Sequence, residues 1–176
     1  IKAIKSGKRV VAMIAPAFAG QFPGTLRQLN AAMLKLGFHK VMEVAAGAEK
    51  TTEHETHEFV ERMQRGDHLM TTSCCPAYVE AARKIVPEIL PFVSDTPSPM
   101  GFSGRMVKGE DPECVSVFIG PCVAKRQEAL HDPNTDYVMT FDELAAMFEA
   151  MEIDVDKLEE VELDYEPDPF SRGYAN

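Results

Sequence analysis

Five short apolar runs, at residues 9–14, 40–44, 68–71, 114–119 and 137–140, alternate with longer stretches of helical character. The latter lie at 25–36, 51–65, 76–86, 98–108, 123–129 and 141–151. Runs this short suit buried strands better than helices. When strands and helices alternate, each helix carries the chain back across the sheet and successive strands become parallel. The pattern therefore predicts an α/β fold: a mainly parallel sheet of four or five strands flanked by helices. Gly20, Pro23, Gly66, Pro87 and Gly120 punctuate the series. From Asp154 the chain turns acidic, then Pro-rich, and carries no packing pattern.

The strongest local signal is HLMTTSCCPAYVEAARKIVPEIL, in which an apolar run enters two adjacent cysteines and then an amphipathic helix. Pro76 suits the first helical position, where its missing N–H costs nothing. Cys74 and Cys75 thus sit at a helix start, where the partial positive charge favours thiolate. CVSVFIG, Gly120-Pro121 and Cys122 repeat the arrangement, with Lys125 and Glu128 following at three-residue steps on one helix face. Taken singly, either segment reads as well as buried small thiols, with a surface Lys–Glu pair beside the second. Taken together they gain meaning, because strand-to-helix turns of a parallel sheet emerge at one edge, where ligands bind. Thiolates converging there suit an iron–sulfur cluster, which usually takes about four. Cys74, Cys75 and Cys122 are too few.

Other patterns exclude more than they suggest. His54 and His57 are three apart, so a zinc-protease helix motif fails and a solvated helix face remains. No P-loop or dinucleotide-binding glycine pattern occurs. Met13, Met33, Met70 and Met147 read as core. With 28 acidic against 18 basic residues the net charge is −10, which disfavours nucleic acid and anionic lipid as partners. No apolar run approaches the ~20 residues of a membrane span. RVVAMI reads as a buried strand rather than a secretion signal, and four cysteines without a disulfide framework point to a reducing compartment, the cytoplasm.

TSCCPAYV at 72–79 and GPCVAKRQEA at 120–129 resemble the first two signature motifs of the FeFe (iron-only) hydrogenases, approximately TSCCPxW and MPCxxKxxE. IAPAF at 14–18, SDTPSP at 94–99 and TDYVMTFDELAAMF at 135–148 resemble further segments of that family's active-site domain. The resemblance implies that residues 1–176 are the first portion, one lobe, of the H-cluster domain, ending before the third cysteine motif. It implies that Cys75 and Cys122 bind the 4Fe-4S part of the H-cluster. Cys74 would stay free and pass protons to the diiron subcluster. Lys125 would hydrogen-bond a cyanide ligand, and backbone near Ala15 and Pro16 would hold another. Ser98, Met100, Gly120, Pro121 and Glu128 would complete the pocket. Glu55, Glu58 and Ser94 would form the proton path, with Glu58 and Ser94 nearest Cys74.

The implied partners are the C-terminal half of the domain, a ferredoxin-like electron carrier and hydrogenase maturation proteins. Alone, the chain would be inactive, with no cluster or with one shared between two copies through an apolar cysteine edge. Tyr78, Gly120 and Met100 depart from the usual Trp, Met and Gln, and resemble sensory or divergent branches. A hydrogen or redox sensor, an iron–sulfur assembly relative and a cluster-free α/β binding domain are the alternatives.

Overall fold

The structure is a computed structural model and describes residues 1–165. The Pro-rich end of the tail lies outside the described residues. Four strands, β1 (Val10–Ile14), β2 (Lys40–Glu43), β3 (Val115–Gly120) and β4 (Tyr137–Thr140), form one wholly parallel sheet in the order β2-β1-β3-β4. All five residues of β1 are buried, as a central strand covered on both faces requires.

The helices are α1 (Lys2–Lys5), α2 (Leu26–Leu36), α3 (Ala45–Gln64), α4 (Pro76–Ile85), α5 (Pro99–Glu110), α6 (Lys125–Ala129) and α7 (Phe141–Ala150). Local chemistry sets their ends. Thr25 with Gln28, and Thr140 with Glu143, form reciprocal capping boxes at the starts of α2 and α7. Gly37, at φ 103°, supplies the left-handed residue that stops α2. The Ser98 hydroxyl caps α5.

Three sequence expectations are corrected. Residues 68–71 do not form a fifth strand: Thr71 alone makes an isolated bridge to Val93, and Leu69 is 43% exposed. Two apolar residues between polar neighbours offer too little surface to bury in a sheet. The long third helix begins at Ala45 rather than 51, because Ala45, Ala46, Gly47 and Ala48 are buried together and show no amphipathic stripe to read. Residues 155–165 do pack. Buried Asn30 donates to the carbonyls of Val161 (3.1 Å) and Glu162 (2.9 Å), and Val155 and Leu163 are buried, so this segment is strapped across α2 by backbone acceptors that no side-chain pattern reveals.

The contact of α3 with α5 fixes the layer that carries the loops of the site. It depends on Gly47: a Cβ there would lie 2.2 Å from the Pro99 carbonyl oxygen and 2.4 Å from Ser103 Oγ. The obstacle is backbone, so the helices would have to separate. Gly47→Ala is expected to cost about 1–3 kcal/mol, the usual range for overpacking. Urea unfolding should give a lower midpoint at unchanged slope, and an unaltered midpoint would remove Gly47 from this role.

Candidate active-site edge

The strand order places the switch point of the sheet between β1 and β3, since the chain leaves β1 toward β2 and leaves β3 toward β4. Crevices open at the carboxyl ends of such strands. The Ala15 N–H bonds the Ile119 carbonyl at 2.8 Å, which holds the two exits side by side. Here lies a hollow of about 160 Å³ whose lining includes Ala15, Pro16, Cys74, Met100, Phe118 and Lys125. Five of these were singled out from sequence. Phe118 was not. A Cβ on Gly120 would meet the Phe118 ring at 2.8 Å, so the ring fills the space that a side chain at 120 would take.

The cysteine turn separates its two thiols. Cys74 is half-buried and lines the hollow, whereas Cys75, the N-cap residue of α4, is exposed with extended backbone (φ −101°, ψ 103°). Cys122 is half-buried and lies just before α6, its carbonyl accepting from the Lys125 N–H at 3.3 Å. It therefore precedes a five-residue helix rather than opening a long one. Cys114 is buried in the core, where burial pushes its thiol up and away from reactivity. Among the described residues no three His, Cys, Asp or Glu side chains group as a metal site.

Lys125 and Glu128 do pair, at 2.6 Å, but the pair is not on the surface. Lys125 is 9% exposed, and its ammonium also donates to Ser98 Oγ (3.1 Å) and to the Cys74 carbonyl (3.2 Å). Ser98 in turn donates to Glu128. Three partners for three N–H groups make a buried ammonium tolerable. They also set a cation beside the turn that carries Cys74.

Glu58 and Ser94 are brought together as expected, at 2.5 Å. The Glu58 carboxylate also accepts from the Asp95 N–H (3.0 Å) and the Thr96 hydroxyl (2.8 Å), and pairs with Arg62 one turn along α3 (2.6 Å). Burial opposes its charge, but these hydrogen bonds and the guanidinium outweigh burial and hold the carboxyl at about 2. Glu55 lies on the same helix, half-buried. Ser73 links this array to the cysteine turn by donating to the Thr96 carbonyl at 2.5 Å. Sequence reading missed Arg62, Ser73 and Thr96; only the Glu58–Arg62 spacing, four residues on a helix, could have signalled one of them. Pro121 is exposed and does not line the hollow.

A sequence profile of the iron-only hydrogenase large subunit, C-terminal domain, matches residues 8–174. The periplasmic [Fe] hydrogenase large subunit of Nitratidesulfovibrio vulgaris is 34% identical over 89% of this chain and 44% of its own length. The apo [FeFe]-hydrogenase structure from Chlamydomonas reinhardtii superposes with a TM-score of 0.80 at 29% identity, covering 90% of this chain and 47% of that one. A cytosolic Fe-S cluster assembly factor of Kluyveromyces lactis is 33% identical over 53% of this chain and 21% of its own length. The chain belongs to the iron-only hydrogenase large-subunit family and spans about half the length, or less, of these relatives.

The Glu58 array has a consequence for stability. A carboxyl whose folded value is depressed stabilises the fold above its unfolded value, and that contribution fades as pH falls toward the folded value. Between roughly pH 4.5 and 2 the protein should lose about 1–2 kcal/mol through this group, allowing for the solvent that reaches it. Urea unfolding across that range should show a shallower acid loss in Glu58→Gln than in the parent, and parallel curves would contradict the assignment.

Proposed function

We propose that this chain is the first lobe of an H-cluster domain, and that the intact protein interconverts hydrogen with protons and electrons. The supporting observation is the composition of the hollow: Cys74 and Lys125 are the polar side chains in an otherwise apolar lining that includes Ala15, Pro16, Met100 and Phe118. An apolar wall with one buried cation suits a group whose outer ligands are anionic but weakly hydrated, and the braced ammonium is chemically matched to it. Cys75, which faces outward, and Cys122 are the thiols that would hold the 4Fe-4S part, with the remaining ligands coming from the other half of the domain. The bound cluster supplies the redox chemistry; the chain positions and protects it.

The residues of this chain would divide the remaining work. Lys125 would offer an N–H to an anionic ligand while Glu128 and Ser98 keep its ammonium in place. Cys74 would hold a proton at Sγ inside the hollow. Gly120 and Phe118 together would set the shape of one wall, and Ala15 and Pro16 another. Glu55, Glu58 and Ser94 would line the path that leads protons inward, with Glu58, held ionised at neutral pH, ordering the Ser94 and Thr96 hydroxyls rather than carrying the proton itself. A ferredoxin-like carrier, hydrogenase maturation proteins and a cytoplasmic setting complete the proposal. The lobe alone is taken to be inactive, and two copies could join at the cysteine edge.

A second reading, an iron–sulfur assembly role, draws support from the Kluyveromyces lactis relative. The retained Cys74, Lys125 and Glu128 favour the first, since cluster assembly needs no proton-transfer thiol inside a hollow.

Iron and acid-labile sulfide after anaerobic reconstitution test the ligand assignment. In a chain extended downstream, Cys75→Ala and Cys122→Ala should each lose most of the iron, whereas Cys114→Ala should retain it. Full iron in both ligand variants would sink the assignment. An extended chain that binds no iron at all would favour a cluster-free domain.

A further inference from the structure

The loop that carries the vicinal thiols has two arms. The first is tied down by backbone: Thr71 N–H bonds the Phe92 carbonyl and its own carbonyl accepts from Ser94 N–H, both at 2.7 Å. The second arm is the first two turns of α4, whose N-cap residue, Cys75, makes no side-chain capping bond. Ser73, donating to the Thr96 carbonyl, and Lys125, donating to the Cys74 carbonyl, tie the turn to its surroundings, and the bond that joins its two arms is that of the Tyr78 hydroxyl to Thr71 Oγ1 at 2.8 Å. Cys74 and Cys75 lie between the two residues it joins.

We propose that Tyr78 is the positioning residue of the cysteine turn, its hydroxyl clasp to Thr71 keeping Cys74 turned into the hollow and Cys75 turned outward. Cys74 lines the hollow while its chain neighbour Cys75 is exposed. A turn that pivots on its first arm would therefore alter the surroundings of both thiols at once. The ring alone cannot prevent this, since packing is weakly directional, whereas a hydrogen bond fixes both distance and angle. Phe at this position would keep the ring and lose the donor; Trp would keep an N–H donor. The inference rests on the two thiols having separate duties, but its test needs no cluster and can fail while that reading stands.

The test is alkylation by iodoacetamide of reduced, anaerobic protein carrying Cys122→Ser. Mass spectrometry of the peptide containing both thiols follows Cys74 and Cys75 separately. In the parent, Cys75, which is exposed, should react ahead of half-buried Cys74. Tyr78→Phe should narrow the ratio of rates about fivefold, the factor that one ordinary hydrogen bond corresponds to. Thr71→Val, which removes the other end of the clasp, should narrow it equally, and the double variant no further. Tyr78→Trp should retain the parental ratio. An unchanged ratio in Tyr78→Phe, or a change that Thr71→Val does not reproduce, overturns the proposal. Loss of the ratio in Tyr78→Trp also overturns it, because ring shape and not the bond would then be in control.

Discussion

The site hangs on one half-buried carboxylate. Glu58 accepts from the side chains or backbone of three successive residues, Ser94, Asp95 and Thr96, while Arg62 on the same helix reaches the carbonyls of Pro91 and Val93. The pair staples the segment 91–98 to α3, and that segment touches almost everything else that matters. It receives the bridge from Thr71 and the hydroxyl of Ser73, accepts from Thr51 at Pro97, and delivers Ser98 to Lys125 and Glu128. A loop has little packing of its own to fix it. Here it is fixed by charge-assisted hydrogen bonds, the strongest available to exposed backbone. Arg62 is 7% exposed, so its guanidinium needs these partners: without them a largely desolvated charge would be left unpaired.

The sheet supplies the second constraint. Its order brings the ends of β1 and β3 together, so residues a hundred positions apart, Ala15 and Gly120, share one edge. Close approach there demands small residues. The Gly120 position has room for nothing more because Phe118, two residues earlier on the same face of β3, leans over it. The wall of the hollow is thus shared between two positions of a strand, and a change at either is felt at both. Lys125 enters from the far side on a short helix and finds its partners already held by the loop.

Legibility in the sequence followed the range of the interaction. The alternation of strands and helices is local, and four strands with their parallel direction were readable from run length and spacing, whereas their order in the sheet was not. Residues 68–71 misled because apolar character alone does not say whether a neighbouring edge is available. The start of α3 was hidden because AAGA is buried all round and leaves no periodicity. For the site, Cys74, Lys125 and Met100 were legible through turns and motifs, and they do meet in one hollow. Arg62, Thr96, Ser73 and Phe118 were not. Each acts through a contact set by tertiary placement, to a backbone carbonyl, to a carboxylate on another element, or into the space of an absent side chain. Glu58 was expected in a proton path, yet its four donors make it first of all an anchor.

The two adjacent cysteines carry the final step. Placed side by side, they stand in different surroundings, one lining the hollow and the other exposed. That separation is useful only where two environments meet within one residue's length. Cys74 lines the hollow, half-buried, with the ammonium of Lys125 at its carbonyl; Cys75 stands exposed at the start of α4. The hollow is built by this chain alone, from its own loops and strand ends. The outward-facing thiol takes no part in its lining.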